Sequence, residues 1–207
     1  MRRFGYSTED HPTLPCGTIE GVITIVSGLP RSGTSLMMQM LAAGGMPILT
    51  DSERQADIDN PRGYHEWEPI KQLPADPDRI DQAEGKAVKV ITQLLLSLPR
   101  GRDYKVIFME RPLPEVLASQ DEMLKRRGPI QAVDRESLAA AFRDHMKEVA
   151  GWLEEREEIP VCRVGYRKLL SDPLCWATTV RDFLGLELNV DAMASQVDLS
   201  LYRNRRL

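Results

Sequence analysis

Short blocks of continuous apolar residues alternate along the chain with longer segments whose apolar positions recur every three or four residues. Residues 21–26 form the first block, β-branched and ending at a Ser-Gly turn, and predict a buried strand. Residues 35–43 are apolar on nearly all sides and stop at Gly44-Gly45, which predicts a buried helix with Met37, Met38 and Met40 as core filling. Further strands are expected at 47–50, 87–91, 104–109 and 161–164, with a short helical stretch at 93–98. Segment 114–127 carries Val116, Leu117, Gln120, Met123 and Leu124 on one stripe and ends at Gly128-Pro129. Segment 134–158 has Leu138, Phe142, His145, Val149 and Trp152 at helical spacing. It predicts the longest helix, with His145 a satisfied core histidine and the charge run 154–158 a solvated end. Asp172-Pro173 reads as an N-cap and first-turn proline opening a helix that reaches Leu184, with Gly185 as its stop. The polar stretch 51–63 and the Asp- and Pro-rich stretch 74–85 read as surface loops.

Continuously apolar strands alternating with helices argue for an α/β chain whose parallel sheet is covered by helices on both faces. Residues 1–20 are polar and carry Pro12, Pro15 and Gly17, so a loosely ordered lead-in is expected there, with one domain over 21–207.

The balance of charges removes several classes of function. A net charge of −4 and a pI of about 5.5 give no reason to expect bulk binding to nucleic acid, although local basic pockets are compatible with them. No apolar run approaches the roughly 20 residues of a membrane span, and no apolar stretch follows Arg2 and Arg3, so neither span nor signal peptide is expected. Cys16, Cys162 and Cys175 are far apart and show neither metal-ligand spacing nor a disulfide frame. A cytoplasmic location is the expectation; oligomeric state is left open.

Chemistry concentrates in Ser27-Gly28-Leu29-Pro30-Arg31-Ser32-Gly33-Thr34-Ser35, between the first strand and the first helix. Backbone N–H groups and the positive end of the helix dipole favour an anion there. Gly28 and Gly33 allow the tight path, Ser32, Thr34 and Ser35 add hydroxyls, and Arg31 adds a forked cation. Against the G-x-x-x-x-G-K-[ST] pattern, Gly28, Gly33 and Ser35 match, but Thr34 stands where a triphosphate-binding loop carries lysine. A P-loop kinase, or another NTP-dependent enzyme with Mg²⁺ near Ser35 and Glu110, is the rival reading. A non-catalytic nucleotide-binding protein is the second.

The run Pro30-Arg31-Ser32-Gly33-Thr34-Ser35 resembles the 5′-phosphosulfate loop of sulfotransferases, which use 3′-phosphoadenylyl sulfate (PAPS) as sulfonate donor. Arg31, where cytosolic members usually carry lysine, is closer to the carbohydrate and tyrosyl-protein members. A second motif agrees: a strand at 105–109, then Glu110-Arg111-Pro112, then Ser119 eight residues after Arg111. In the family, such an Arg and Ser bind the 3′-phosphate, and an Arg at the C-terminal edge of a central strand lies where doubly wound sheets bind ligands. The segment from Val164 through Tyr166 to Pro173 resembles the family's strand-Tyr-x-x-Leu-x-x-x-Pro, which would place Tyr166 near the adenine. Arg203, in the tail 201–206, resembles the arginine of a loop that closes over the 3′-phosphate. The resemblance covers nearly the whole chain from residue 21 and is closest to short bacterial members. It implies a P-loop-type three-layer fold, with a central parallel sheet of four or five strands and helices on both faces. It also implies PAPS as donor, 3′,5′-adenosine bisphosphate as product, no metal requirement, and a small-molecule or carbohydrate acceptor.

In-line sulfonate transfer needs a base near the phosphosulfate. Gly63-Tyr64-His65-Glu66-Trp67-Glu68 gathers the candidates, and the affinity of Arg31 for the Glu-using members favours Glu66, with Glu68 and His65 as alternatives. Lys89, inside an apolar strand, either lines the donor pocket or points to solvent at a sheet edge, since an unpaired buried lysine is costly; Lys86 is a weaker candidate. The acceptor pocket is expected between segments 51–70 and 74–85. Glu110 resembles a Walker B acid but reads as a strand-end residue.

Overall fold

The computed structural model describes residues 21–202 except 52, 55, 58, 59 and 127–133; the expected lead-in and Arg203 lie outside the described residues. Five strands form one sheet in the order β2-β3-β1-β4-β5, every pair parallel: β1 Val22–Gly28, β2 Ile48–Leu49, β3 Ala87–Lys89, β4 Asp103–Glu110 and β5 Val161–Gly165. Side chains alternate across the sheet because the strand repeat is two residues. Ile23 and Ile25 of β1 and Tyr104, Val106 and Phe108 of β4 face one core. Val26, Ile107 and Met109 face the other.

The second face is covered by α1 (Thr34–Ala43), α5 (Tyr166–Ser171), α6 (Pro173–Leu184) and α7 (Val190–Ala194). Met37, Met38 and Met40 are fully buried there, each worth roughly 1.5–3 kcal/mol of transfer free energy. The first face is covered by α2 (Thr92–Leu95), α4 (Arg135–Glu155) and two 3-10 turns, Glu68–Gln72 and Pro77–Ala83. Helix α3 (Leu113–Arg126) follows β4. The three layers and the five-stranded parallel sheet are as the sequence pattern predicts.

Three expectations are corrected. Residues 77–83 are a 3-10 turn with Ile80 and Ala83 fully buried, because its apolar residues close the core under β1. The helix of the long stripe, α4, ends at Glu155, and Arg156 in the expected solvated run is buried. Its guanidinium donates to the carbonyls of Leu98 (3.2 Å) and Pro99 (3.4 Å). His145 is half-buried with Nδ1 3.5 Å from Glu148, but its buried Nε2 has no hydrogen-bond partner among the described residues.

The start of α6 is as predicted: Asp172 accepts from the Cys175 N–H at 3.1 Å, Pro173 stands in the first turn, and Gly185 ends the helix at φ 69°. Asp172→Ala is expected to lower stability by about 1 kcal/mol, read as a melting-temperature drop of about 2–4 °C.

Candidate active site

All five strands run the same way, so the segments leaving β1, β3, β4 and β5 gather along one edge of the sheet. There a cavity of about 650 Å³ is lined from the β1–α1 loop, from 60–71, from Lys89 at the end of β3 and Ile91 beyond it, from Arg111 and α3 after β4, and from Tyr166 after β5. Among the described residues on its walls, Arg and Lys outnumber Asp and Glu although the chain as a whole is acidic.

The β1–α1 loop turns back through left-handed conformations at Gly28 (φ 151°), Arg31 (φ 71°) and Gly33 (φ 105°). A Cβ on Gly33 would lie 2.5 Å from the Tyr166 ring, and one on Gly28 2.7 Å from the Met109 carbonyl, so the loop packs too tightly for any side chain at either position. Arg31 does carry a side chain, and its backbone strain, of order 1–3 kcal/mol, is held by contacts. Its carbonyl accepts from Arg111 Nη1 at 2.9 Å, and its Nε donates to Ser119 Oγ at 3.0 Å. No side chain caps α1 and no acidic residue sits in its first turn, so the N–H groups of Thr34, Ser35 and Leu36 face the cavity end of the helix without an intrahelical acceptor. Ser32 is placed otherwise than expected. Its hydroxyl is buried under the loop beside Gly28 and does not line the cavity, and its N–H is used by the Leu29 carbonyl at 3.1 Å.

Lys89 is 7% exposed and ends β3 beside β1, in register with Val26, so it is not at a sheet edge. Its ammonium donates to Ser35 Oγ (3.2 Å), the Tyr64 carbonyl (3.0 Å) and Glu66 Oε1 (3.1 Å). Glu66 also accepts from Arg54 Nη1 with both oxygens, at 3.0 and 3.1 Å, and the Arg54 guanidinium stacks on the Tyr64 ring 3.3 Å from its centroid. The Tyr64 hydroxyl donates to Asp57 at 2.8 Å. Burial works to raise the Glu66 pKa, but the charge and hydrogen bond of Lys89 and the contacts of Arg54 outweigh it and hold the carboxyl below its ordinary value. For Lys89, burial lowers the pKa, only partly offset by Glu66. Of the alternatives, Glu68 lines the cavity and pairs with Lys71, whereas His65 turns its Nε2 to the Arg62 carbonyl (3.1 Å) and does not line it. Lys86 is also outside it, bonded to the Gln82 carbonyl.

At the other end, Arg111 lines the cavity with Ser119 and stacks on Tyr166, its guanidinium carbon 4.6 Å from the ring centroid. Tyr166 therefore lies against Arg111 and Gly33, with the Tyr202 ring edge-on at 5.7 Å. Behind Arg111 sits Glu115, fully buried, accepting from Arg111 Nε at 3.0 Å, from Arg167, and from the Tyr202 hydroxyl at 3.0 Å. Burial works to raise its pKa and those bonds outweigh it, holding the carboxyl below its ordinary value. Glu110 stays exposed and pairs with Arg163 at 3.0 Å, away from the cavity. The stretch 74–85 contributes nothing to the cavity wall; its apolar residues are used in the core. Among the described residues, no group of three or more His, Cys, Asp or Glu is placed to hold a metal, and no helix is long and apolar enough to cross a membrane.

An anion-receptive helix start and a second Arg–Ser pair thus open on one cavity, in the chain order of the two motifs. Residues 23–206 match the sulfotransferase domain family model. The chain belongs to the sulfotransferase family. Two solved sulfotransferases share its fold. One is the sulfotransferase domain from the curacin biosynthetic pathway, with a TM-score of 0.51 and 16% identity over 85% of this chain and 77% of that one. The other is a sulfotransferase from Mycobacterium tuberculosis H37Rv, with a TM-score of 0.57 and 14% identity over 88% of this chain and 73% of that one. No curated protein matches the chain.

Arg54 and Glu115 were not singled out from the sequence of this sulfotransferase. For Glu115 there was a signal: it stands four residues after Arg111, the spacing of an intrahelical ion pair. For Arg54, in a polar stretch that reads as a surface loop, nothing local marks the contact.

Proposed function

We propose that this sulfotransferase moves a sulfonate group from PAPS to a hydroxyl or amine of a small-molecule or carbohydrate acceptor, by in-line transfer with Glu66 as base. The observation that carries the reading is the Arg31–Ser119 hydrogen bond, which joins the helix-start anion cradle to the Arg111/Ser119 pair on one cavity wall. A donor with anionic groups at both the 5′ and 3′ positions of its ribose needs two such stations. A triphosphate needs the lysine that Thr34 replaces.

PAPS supplies a sulfonate already activated by a phosphate leaving group. The N–H groups at the start of α1, the hydroxyls of Thr34 and Ser35 and the Arg31 cation would hold the 5′ end; Arg111 and Ser119 would hold the 3′-phosphate, with Tyr166 beside them. Lys89, tied to Ser35 and Glu66, is positioned to donate to charge that develops at the cradle. Glu66, ionised at neutral pH and held by Arg54 and Lys89, is in the form that accepts a proton. The transferred group carries less charge than a phosphoryl, so the reading requires no metal.

Calorimetric titration with 3′,5′-adenosine bisphosphate, AMP and ATP tests the donor. The bisphosphate is expected to bind tightest. Arg111→Ala should weaken it by about 10–100-fold while changing AMP by no more than about threefold, because a charge-assisted bond to the 3′-phosphate is lost. Tighter binding of ATP than of bisphosphate would sink the donor assignment, and equal losses of bisphosphate and AMP in Arg111→Ala would remove that residue's role. Transfer of labelled sulfonate to a panel of alcohols, phenols, amines and sugars identifies the acceptor class.

A further inference from the structure

Among the described residues, Glu115 is the most deeply buried charged side chain that the reaction itself does not use. It is fully buried, it does not line the cavity, and its partners come from three separate places: Arg111 just after β4, Arg167 in α5, and Tyr202 after the last 3-10 turn. A carboxylate removed from water is destabilising unless it is paired and its lone pairs are filled, and here both oxygens are used. The pairing determines how Arg111 is held. An arginine has five N–H donors in a rigid plane. Glu115 takes Nε, the Arg31 carbonyl takes one donor on Nη1, and the Tyr166 ring lies against the guanidinium. Two fixed edges and a stacked face hold the guanidinium in one orientation, with no further hydrogen bond to its remaining donors among the described residues and with the residue on the cavity wall.

We propose that Glu115 is the positioning residue of the second anion station: it orients Arg111 and so sets how strongly donor binding depends on the 3′-phosphate. The proposal rests on the reading of Arg111 and Ser119 as the 3′-phosphate pair. A screening role would have the opposite sign. If Glu115 merely offset the cluster of Arg31, Arg111 and Arg167, neutralising it would raise the local positive charge and tighten the bisphosphate. If it orients Arg111, neutralising it weakens the bisphosphate, because the fork no longer meets the phosphate with its donors aligned.

The experiment is calorimetric titration of wild type, Arg111→Ala, Glu115→Gln and Glu115→Asp with 3′,5′-adenosine bisphosphate and with AMP, the fold of each variant checked by circular dichroism. Glu115→Gln is expected to weaken the bisphosphate about tenfold and leave AMP within about threefold, with partial recovery in Glu115→Asp, which keeps the charge but is one methylene short. An unchanged or tighter bisphosphate in Glu115→Gln overturns the proposal, and so does an equal loss of both ligands. Should Glu115→Gln not fold, Glu115→Asp decides: a bisphosphate-to-AMP preference as large as wild type overturns the proposal, a reduced one supports it. Absence of any bisphosphate preference in wild type points instead to failure of the donor reading. A preference lost in Arg111→Ala but kept in the Glu115 variants sinks only the role of Glu115.

Discussion

Glu66→Gln is expected to slow sulfonate release from PAPS by roughly 10²–10⁴-fold, the usual worth of a positioned general base, while bisphosphate affinity stays within a few-fold. The exchange keeps the shape of the side chain and one oxygen for Lys89, so the cavity wall is preserved. The carboxylate that would take the acceptor's proton is gone. The separation between turnover and binding is what distinguishes a base from a wall residue, since a wall residue loses both together. Radiolabelled sulfonate release into water, followed in single-turnover mode, reads the chemistry without an identified acceptor. Turnover within threefold of wild type would pass the role to Glu68, which lines the same cavity and keeps Lys71 as its partner. The pH profile gives an independent check. Glu66 must be unprotonated to act, and Lys89 and Arg54 hold its pKa below the ordinary value against the effect of burial. The acid limb of turnover is therefore expected below the ordinary Glu value of about 4.3, with none of the decline near pH 6.5 that a histidine base would give.

Residues whose role follows from backbone path were legible in the sequence; residues whose role follows from distant side chains were not. Gly28 and Gly33 had to be glycine because the turn from β1 into α1 packs against Met109 and Tyr166, and the strand–glycine–helix order announces such a turn. Asp172, Pro173 and Gly185 were readable for the same local reason. Lys89 was conspicuous as a charge in an apolar strand, but its partners, Ser35 in the first turn of α1 and Glu66 in a loop, stand 54 and 23 residues away, and only the three-dimensional path brings them together. Arg54 had no signal, because its meaning lies wholly in Glu66 and the Tyr64 ring. The stretch 77–83 misled for the converse reason. Its composition is that of a loop, yet two apolar residues among its charges, Ile80 and Ala83, were enough to draw it into the core. The direction of the Ser32 hydroxyl was not legible either, because a hydroxyl beside such a loop has two directions to point, and the missing Cβ of Gly28 leaves room on the inner side.

Lys89→Met should reduce turnover by roughly 10²–10³-fold, the range found when one preorganised donor to developing charge is removed. Methionine fills much of the volume of the lysine stem, so the loss is one of charge and donors more than of packing. Two observations support a role for this lysine beyond a structural tie. It is buried at the junction of the cradle and the proposed base, bonded to Ser35 of α1 and to Glu66 at once, and an ammonium taken from water interacts more strongly with nearby charge than an exposed one. Burial also lowers its pKa. Donation requires the protonated form, so turnover is expected to fall on the alkaline side as pH rises through that lowered pKa, earlier than the ordinary lysine value of about 10.4, and Lys89→Met should abolish this limb along with the rate. Lys89→Arg is not expected to rescue, because a planar fork does not reproduce the three bonds that the compact ammonium makes to Ser35, Tyr64 and Glu66. Since Lys89 and Glu66 share a hydrogen bond, the double variant Glu66→Gln/Lys89→Met should be far less impaired than the product of the single losses. Simple multiplication of the two effects would mean that Lys89 acts on the developing charge independently of Glu66.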